Sequence, residues 1–482
     1  MYKLIEAIVG LIKVCFEVIF SFVAFLFGGT FNKNAQFNAG YMPFFKRIIL
    51  LNRYNGSISA DGKRSLNSKD TTHSLIIGKS GIGKSSVNFV PSILRAKSSF
   101  IVTDVDGDIF NKTSGYLKTQ GFDIQVLNLK DVYSSEFYNP IAFCKTDSDL
   151  KKLAKSIIAT SYPDAKRGSQ GFWNTGAESI IYVFLRLLHQ QPKEVQTFHN
   201  LRRLLKNITA ADHFVSTNAS DEIFEDYQAF TNTDLKIVSG MTSSALTALD
   251  GMGEKDLIHL TSKNTLDLGR LSKNKACLYI IIPEVKMMQY RFLTSILYSQ
   301  IFDFYQLNKP SQKINIFMDE FGIQRIPDFP STINVVRRYG LSVHMAVQSL
   351  KQIHQAYTAE GASVIINGGV SSKIIYPGMS LELARDLSMT MGKKSYQVKE
   401  GKYKRTVNRE LLSVQELIQM ENRSILLHKS LPPLIMRPVP YFKQRKLRQR
   451  TKLKPVSLPV NQYEKPKLIS FSVNANPFDN EK

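Results

Sequence analysis

The chain opens on a long apolar run. From Leu4 to Gly28 it is almost continuously hydrophobic, interrupted by Glu6, Lys13 and Glu17. About 20 apolar residues suffice to cross the hydrocarbon layer of a bilayer, so the run is long enough to span. The three charges, spaced seven and then four apart, fall on one stripe of a helix. Packed between subunits, such charges pair instead of facing lipid. Two other placements fit the same pattern: an in-plane amphipathic helix and a cleaved signal peptide, for which no small-x-small site follows the run. We take the spanning reading. Lys33, Lys46, Arg47 and Arg53 follow the run and Lys3 alone precedes it, a bias that places the rest of the chain in the cytoplasm. No later run is both long and apolar enough to span.

Beyond it the pattern changes three times. Residues 30–70 are polar and basic and read as a juxtamembrane linker with strand-like pieces such as Arg47–Leu51. Short apolar runs then alternate with amphipathic stretches: strands at 74–77, Ser99–Val105 and Asp123–Leu127, which predict a parallel sheet covered by helices. From 145 to 270 the apolar residues recur at three and four, in Leu150–Ile158, Ala177–Leu188, Leu201–Leu205, Ile223–Phe230 and Leu235–Leu249. No strand pattern interrupts them, so an all-α domain is inserted there. Strand character returns at Ala276–Pro283, Ile314–Met318, Leu341–Val347 and Ser372–Ile375, with a helix near 288–306. The expected division is a membrane anchor (1–29), a linker (30–70), an α/β domain (71–144 and 271–442), an inserted all-α domain (145–270) and a mobile basic tail (443–482).

Composition adds a partner class. Of 482 residues, 43% are hydrophobic, enough for a real core. The net charge of +23 favours polyanions, either nucleic acid or an anionic membrane face. Cys15, Cys144 and Cys277 lie far apart and the eight histidines show no ligand spacing, which excludes a disulfide framework and a structural metal site.

The most specific chemistry directly follows Leu75-Ile76-Ile77. Gly78, Lys79, Ser80, Gly81, Ile82, Gly83, Lys84, Ser85 and Ser86 contain the whole G-x-x-x-x-G-K-S pattern of a phosphate-binding loop, at the end of a strand where it belongs. The glycines let backbone N–H groups turn inward on phosphate oxygens, Lys84 reaches the β/γ-phosphates of ATP, and the Ser85 hydroxyl ligates Mg²⁺. A chance Gly-rich turn is the bland alternative. Ile314–Met318 ends in Asp319-Glu320. Asp319 there orders Mg²⁺ beside the loop, and Glu320 polarises the attacking water. Arg337 stands before Tyr339-Gly340 and is either an arginine delivered across a subunit boundary or a solvated helix end. Gln348, just after Leu341–Val347, is a γ-phosphate sensor or an ordinary surface amide.

Taken in order, the loop, Asp104…Gly107, Tyr138-Asn139-Pro140, Phe172-Trp173, Met318-Asp319-Glu320-Phe321-Gly322, Ile326-Pro327, Arg337-Arg338-Tyr339-Gly340, Gln348-Ser349-Leu350 and Pro432-Pro433…Tyr441-Phe442 resemble the coupling proteins of type IV secretion systems, the conjugative DNA-transfer ATPases. The resemblance covers roughly 70–442 and is most specific over 316–350. It implies an α/β fold: a RecA-like P-loop NTPase domain with an inserted all-α domain and an N-terminal transmembrane segment. It also implies a hexameric ring in the bacterial inner membrane that links a relaxase–DNA complex to secretion channel proteins. Within it Lys84 and Ser85 take the loop roles, Asp319 and Glu320 the acidic strand end, Arg337 the arginine finger and Gln348 the glutamine after the next strand.

Two positions depart from the family. It usually has two transmembrane helices where this chain offers one candidate, and Asp106 stands where an Asp-x-Lys-Gly turn has its lysine. Two other functions compete: a double-stranded DNA pump of the septal or archaeal type, and a nucleotide-gated membrane scaffold with little turnover.

Overall fold

The computed structural model describes residues 39–471, apart from 53–55, 68–71, 163–168, 274, 401–402 and 464. The Leu4–Gly28 run lies outside them, and no helix among the described residues is long and apolar enough to cross a membrane.

A small antiparallel sheet of β1 (Leu51–Asn52), β3 (Ser65–Asn67) and β2 (Gly56–Ser59) precedes the main body. The helix Phe44–Leu50 leads into it. This corrects the strand expected at Arg47–Leu51, where β-branched Ile48 and Ile49 suggested extended chain.

The main sheet has nine strands in the order β14-β13-β10-β4-β9-β8-β5-β7-β6. Its seven parallel members are β4 (Ser74–Ile77), β5 (Phe100–Val105), β6 (Asp123–Asn128), β7 (Ala276–Ile282), β8 (Ile314–Met318), β9 (Leu341–Val347) and β10 (Ser372–Ile375). β13 (Ser424–His428) and β14 (Leu434–Met436) add an antiparallel edge, so the sheet is mixed. β7 and β9 are buried along their whole length, as continuous apolar runs in a sheet covered on both faces must be.

Period-two alternation separates two cores. Ile101, Leu278, Ile280, Ile316 and Val343 face one side; Phe100, Val102, Tyr279, Phe317 and Ala346 face the other. The first side continues into the helices between β6 and β7: Asp147–Ser161, Ser169–His189, Phe198–Lys206, Ile208–Asn218, Asp221–Thr231, Leu235–Ala248 and Lys255–Leu260. The expected helical stretch is therefore present, longer at most ends than its apolar pattern alone marked. The helix Met287–Leu307 packs on the same side.

Two further elements had no strong sequence signal. β11 (Lys393–Glu400) and β12 (Tyr403–Glu410) form a separate hairpin. Residues 443–463 and 465–471 make contacts with the body of the chain where a solvated tail was expected. Leu447 is buried, Arg450 donates to the Leu94 carbonyl, Val456 N–H to Ser114 Oγ and Asn461 N–H to the Tyr133 carbonyl. Asn200 exchanges hydrogen bonds with Lys467 and Ile469, and Ile469 is buried. The basic side chains of this segment suggested solvation, while a few apolar residues decide its path.

Candidate functional site

The parallel strands deliver their C-terminal ends to one rim of the sheet, where ligands of open α/β folds bind. The loop 78–84 leaves β4 there. Gly81 and Gly83 have φ of 75° and 102°, conformations that side chains with a Cβ rarely adopt. Gly78 is required for space, since a Cβ would come within 2.8 Å of Tyr376. The chain then enters a wide helical turn at Ser85–Phe89, which becomes α-helical at Val90–Ile93. Pro91 lacks the N–H that would close a regular bond inside that turn.

Lys84 is buried and folded back over its own loop. Its Nζ donates to the carbonyls of Gly78 (2.6 Å) and Lys79 (3.2 Å) and lies 4.0 Å from Glu320 Oε1. Burial lowers its pKa, against the pull of Glu320 and Asp319. Ser85 Oγ donates to Asp319 Oδ2 at 2.5 Å. Burial raises the Asp319 carboxyl to about 6, offset in part by the Ser85 bond. Glu320 sits at φ 57°, in the left-handed region, which turns its side chain back over the rim. Its Oε1 accepts from Gln348 Nε2 at 3.0 Å, and its buried Oε2 has no hydrogen-bond partner among the described residues.

The structure therefore brings Lys84, Ser85, Asp319, Glu320 and Gln348 together. Gly78, Lys79, Ser80, Gly81, Ile82, Gly83 and Ser86 form the loop, with Lys79, Ser80, Gly81 and Ile82 exposed on it. Arg337 is not part of this cluster. It is exposed at the opposite rim, just before β9, near His73 and Lys313 at the starts of β4 and β8, whose pKa values burial lowers, with a smaller contribution from the Arg337 charge. Five residues of β8 separate the rims, roughly 17 Å at the usual rise of a strand.

The donor set fits a hard cation. Among the described residues no group of three His, Cys, Asp or Glu could hold a metal ion on its own. Mg²⁺ does not need one: it takes one or two protein oxygens and completes its shell with phosphate and water. Ser85 Oγ and Asp319 Oδ2 are such a pair, and the orphaned Glu320 Oε2 is an acceptor awaiting a donor.

Other residues at the rim were not predicted as site residues, although Asp104 stands in one of the motifs that carry the family resemblance. A cleft of about 570 Å³ runs from Gly78 and Lys79 to Gln348, Lys351, Tyr376 and Asp386. Tyr376 OH donates to Asn88 Oδ1 (2.7 Å) and fixes the wall that crowds Gly78. Asp104 at the tip of β5 accepts from the backbone N–H groups of Ile109 (2.9 Å) and Phe110 (2.6 Å), and burial raises its carboxyl to about 7. At the next turn Lys130 Nζ donates to the Asp106 carbonyl (3.1 Å) and lies 3.6 Å from its carboxylate.

A family model described as type IV secretory system conjugative DNA transfer matches residues 31–466. Protein VirD4 of Rhizobium rhizogenes is 20% identical over 411 residues, covering 80% of this chain and 60% of that one. Protein VirD4 of Agrobacterium fabrum is 20% identical over 446 residues, covering 86% and 65%. This chain thus spans about 60% of the length of the curated relatives it matches. Among solved structures, the plasmid coupling protein TrwB in complex with ADP and Mg²⁺ superposes with a TM-score of 0.59 at 16% identity, over 88% of this chain and 95% of that one. VirB4 of Thermoanaerobacter pseudethanolicus superposes with a TM-score of 0.51 at 11% identity, over 82% and 99%. These likenesses establish a shared fold.

Proposed function

Because this chain belongs to the type IV secretory system conjugative DNA-transfer family, we propose that it is a coupling protein: a membrane-anchored ATPase that brings a relaxase–DNA substrate to a type IV secretion channel and drives DNA transfer. The observation that carries the reading is the meeting of Lys84, Ser85, Asp319, Glu320 and Gln348 on one rim of the sheet. Phosphoryl transfer needs a cation for the phosphates, a metal-ordering carboxylate and a group to orient water, and those parts are adjacent here. The TrwB complex with ADP and Mg²⁺ supports the same choice of ligands.

In this reading residues 71–144 and 271–442 form a RecA-like motor domain, 145–270 the inserted all-α domain, 30–70 the linker and 1–29 the anchor in the bacterial inner membrane. Six copies form a ring. Lys84 exchanges its two loop carbonyls for the β/γ-phosphate oxygens of ATP. Ser85 and Asp319 hold Mg²⁺. The metal, when bound, neutralises negative charge on the phosphates. Glu320 orients the attacking water and takes its proton on Oε2, while Gln348 fixes Oε1. Arg337, remote from its own loop, serves the site of the adjacent subunit.

The test is ATP hydrolysis by the purified full chain with and without DNA. Stimulation by DNA is expected. Tight nucleotide binding with no stimulation would support the nucleotide-gated scaffold, and stimulation by double strands alone would support the septal type of pump.

A further inference from the structure

The helix Phe44–Leu50 is inside out. A surface helix normally turns its apolar arc toward the core. At about 100° per residue, Phe44, Ile48, Phe45 and Ile49 fill an arc of about 140°, with Lys46 and Arg47 flanking it. Yet Phe44 is 67% exposed, Phe45 57%, Ile48 56% and Ile49 67%, while Leu50, outside the arc, is buried. Tyr41, a few residues before, is also exposed. Single exposed apolar residues are ordinary, but a contiguous apolar face on one short helix marks a surface that meets something. The helix is not free to turn over. Ala39 N–H donates to the Lys393 carbonyl, Met42 N–H to the Pro433 carbonyl, and Leu50 plugs the core.

We propose that this face is a membrane-docking site, in which Phe44, Phe45, Ile48 and Ile49 enter the headgroup–acyl boundary of an anionic bilayer. The inference rests on the reading of Leu4–Gly28 as membrane-embedded, and two observations commit it to lipid. The first is reach. Ten residues, 29–38, separate that run from Ala39, and an extended chain of this length spans at most about 35 Å. The helix begins five residues later, so its apolar face stays near the bilayer in which the run sits. The second is charge. Lys46 and Lys429 border a cleft of about 430 Å³ beside Ile49, Leu50 and Leu431. Cations beside an outward apolar face are the composition of an interfacial helix: side chains enter the boundary region while ammonium and guanidinium groups meet lipid phosphates. Each basic group near such a surface adds attraction that depends on the anionic lipid content. A second copy of the chain would need acidic groups opposite Lys46 and Lys429, and the described lining of this cleft, which otherwise consists of Ile49, Leu50, His428, Ser430 and Leu431, contributes none.

The test uses the full chain with Cys15 replaced by serine, since Cys144 and Cys277 are buried. An environment-sensitive fluorophore is attached at Phe45→Cys or Ile48→Cys, with Leu235→Cys, which is 81% exposed, as the aqueous control. The protein is reconstituted into phosphatidylcholine vesicles with or without phosphatidylglycerol, some carrying a shallow lipid quencher. Emission from positions 45 and 48 should shift to the blue and be quenched several-fold more than emission from 235. Lys46→Glu with Lys429→Glu should reduce that quenching on anionic vesicles and leave it unchanged on neutral ones. Protein that floats with vesicles but leaves 45 and 48 as wet as 235 overturns the docking site alone. Positions shielded without lipid quenching place protein there instead, and also overturn it. Failure to float at all overturns the anchoring reading on which the inference rests.

Discussion

Gln348 Nε2 donates a 3.0 Å hydrogen bond to Glu320 Oε1, tying together the tips of the adjacent strands β9 and β8. The bond leaves Glu320, on a left-handed backbone turn, with one oxygen held 4.0 Å from Lys84 Nζ and the other without a hydrogen-bond partner among the described residues. A carboxylate placed to take a proton needs that asymmetry: a fixed orientation and an available lone pair.

Replacing Glu320 with glutamine keeps the shape and removes the charge. Nucleotide affinity should stay within a few-fold of wild type while hydrolysis falls by roughly 10²–10⁴. Gln348→Ala should lower hydrolysis less, by about tenfold, because it frees the carboxylate without removing it. Equilibrium binding of a fluorescent nucleotide beside steady-state hydrolysis separates the effects. If Glu320→Gln abolishes binding, the residue is a ligand or a structural prop and not the base.

Lys84→Ala should reduce turnover by on the order of 10²-fold or more, since it removes the cation that meets the developing charge. The fold should survive, because the two hydrogen bonds lost run from a side chain to carbonyls of its own loop, and no sheet or helix bond goes with them. Wild-type circular dichroism together with wild-type hydrolysis would refute the motor assignment.

Asp104 gives a pH dependence with a definite sign. Burial lifts its carboxyl from 3.8 to about 7, partly opposed by the two N–H bonds it accepts. The folded chain therefore holds this proton at pH values where the unfolded chain has released it. Between about pH 4 and about 7 the native state binds more protons, so raising the pH favours unfolding through this group. Asp104→Asn cannot ionise and should flatten that part of the profile. Urea titrations of both proteins at pH 5 and pH 7.5 measure it, and equal slopes with pH would refute the assignment.

Legibility tracked how strongly each segment feels the core. β4, β8, β9 and β10 are apolar runs buried in the sheet, and their sequence boundaries match the structure. β13 and β14 flank Pro432-Pro433 at the antiparallel edge of the sheet, and β14 has only three residues, too few to set a pattern. The β11–β12 hairpin has few apolar residues, Tyr396, Val398, Tyr403 and Val407, among Lys, Arg, Gln and Thr, and all four are exposed, so no core-facing pattern marks it. The phosphate loop and the acidic strand end were legible because the chemistry fixes residue types. The Gln348–Glu320 bond was not, because it depends on the adjacency of β8 and β9, and that order is a property of the whole sheet. The course of 443–463 and 465–471 depends on Leu447 and Ile469, isolated apolar residues in a basic stretch.

With a net charge of +23, binding to nucleic acid should be carried by Lys and Arg contacts to phosphates. Log K should then fall linearly with log salt, with a slope of about −0.9 per neutralised phosphate on duplex DNA and about −0.7 on single strands. Filter binding or anisotropy across a salt series measures both slopes. Affinity that is flat from low to physiological salt would assign the positive charge to the membrane surface instead.

Arg337 tests the ring. It lies on the rim opposite Lys84, at the far end of β8, and its exposed guanidinium cannot serve the site of its own subunit. If a neighbour's loop meets that rim, Arg337→Ala should lower hydrolysis by about 10³ or more, the range for an arginine supplied in trans, with little loss of nucleotide binding. Lys84→Ala protein should be comparably inactive. In mixed rings some interfaces join an intact loop to an intact arginine, so part of the activity should return. Its dependence on mixing ratio should follow the fraction of such interfaces, highest near equal proportions. A shared site within one subunit gives no such recovery, because each subunit then lacks one group. Mixed rings verified by differential tagging that stay inactive at every ratio would remove Arg337 from catalysis across the interface, and activity of Arg337→Ala alone near wild type would remove it from catalysis altogether.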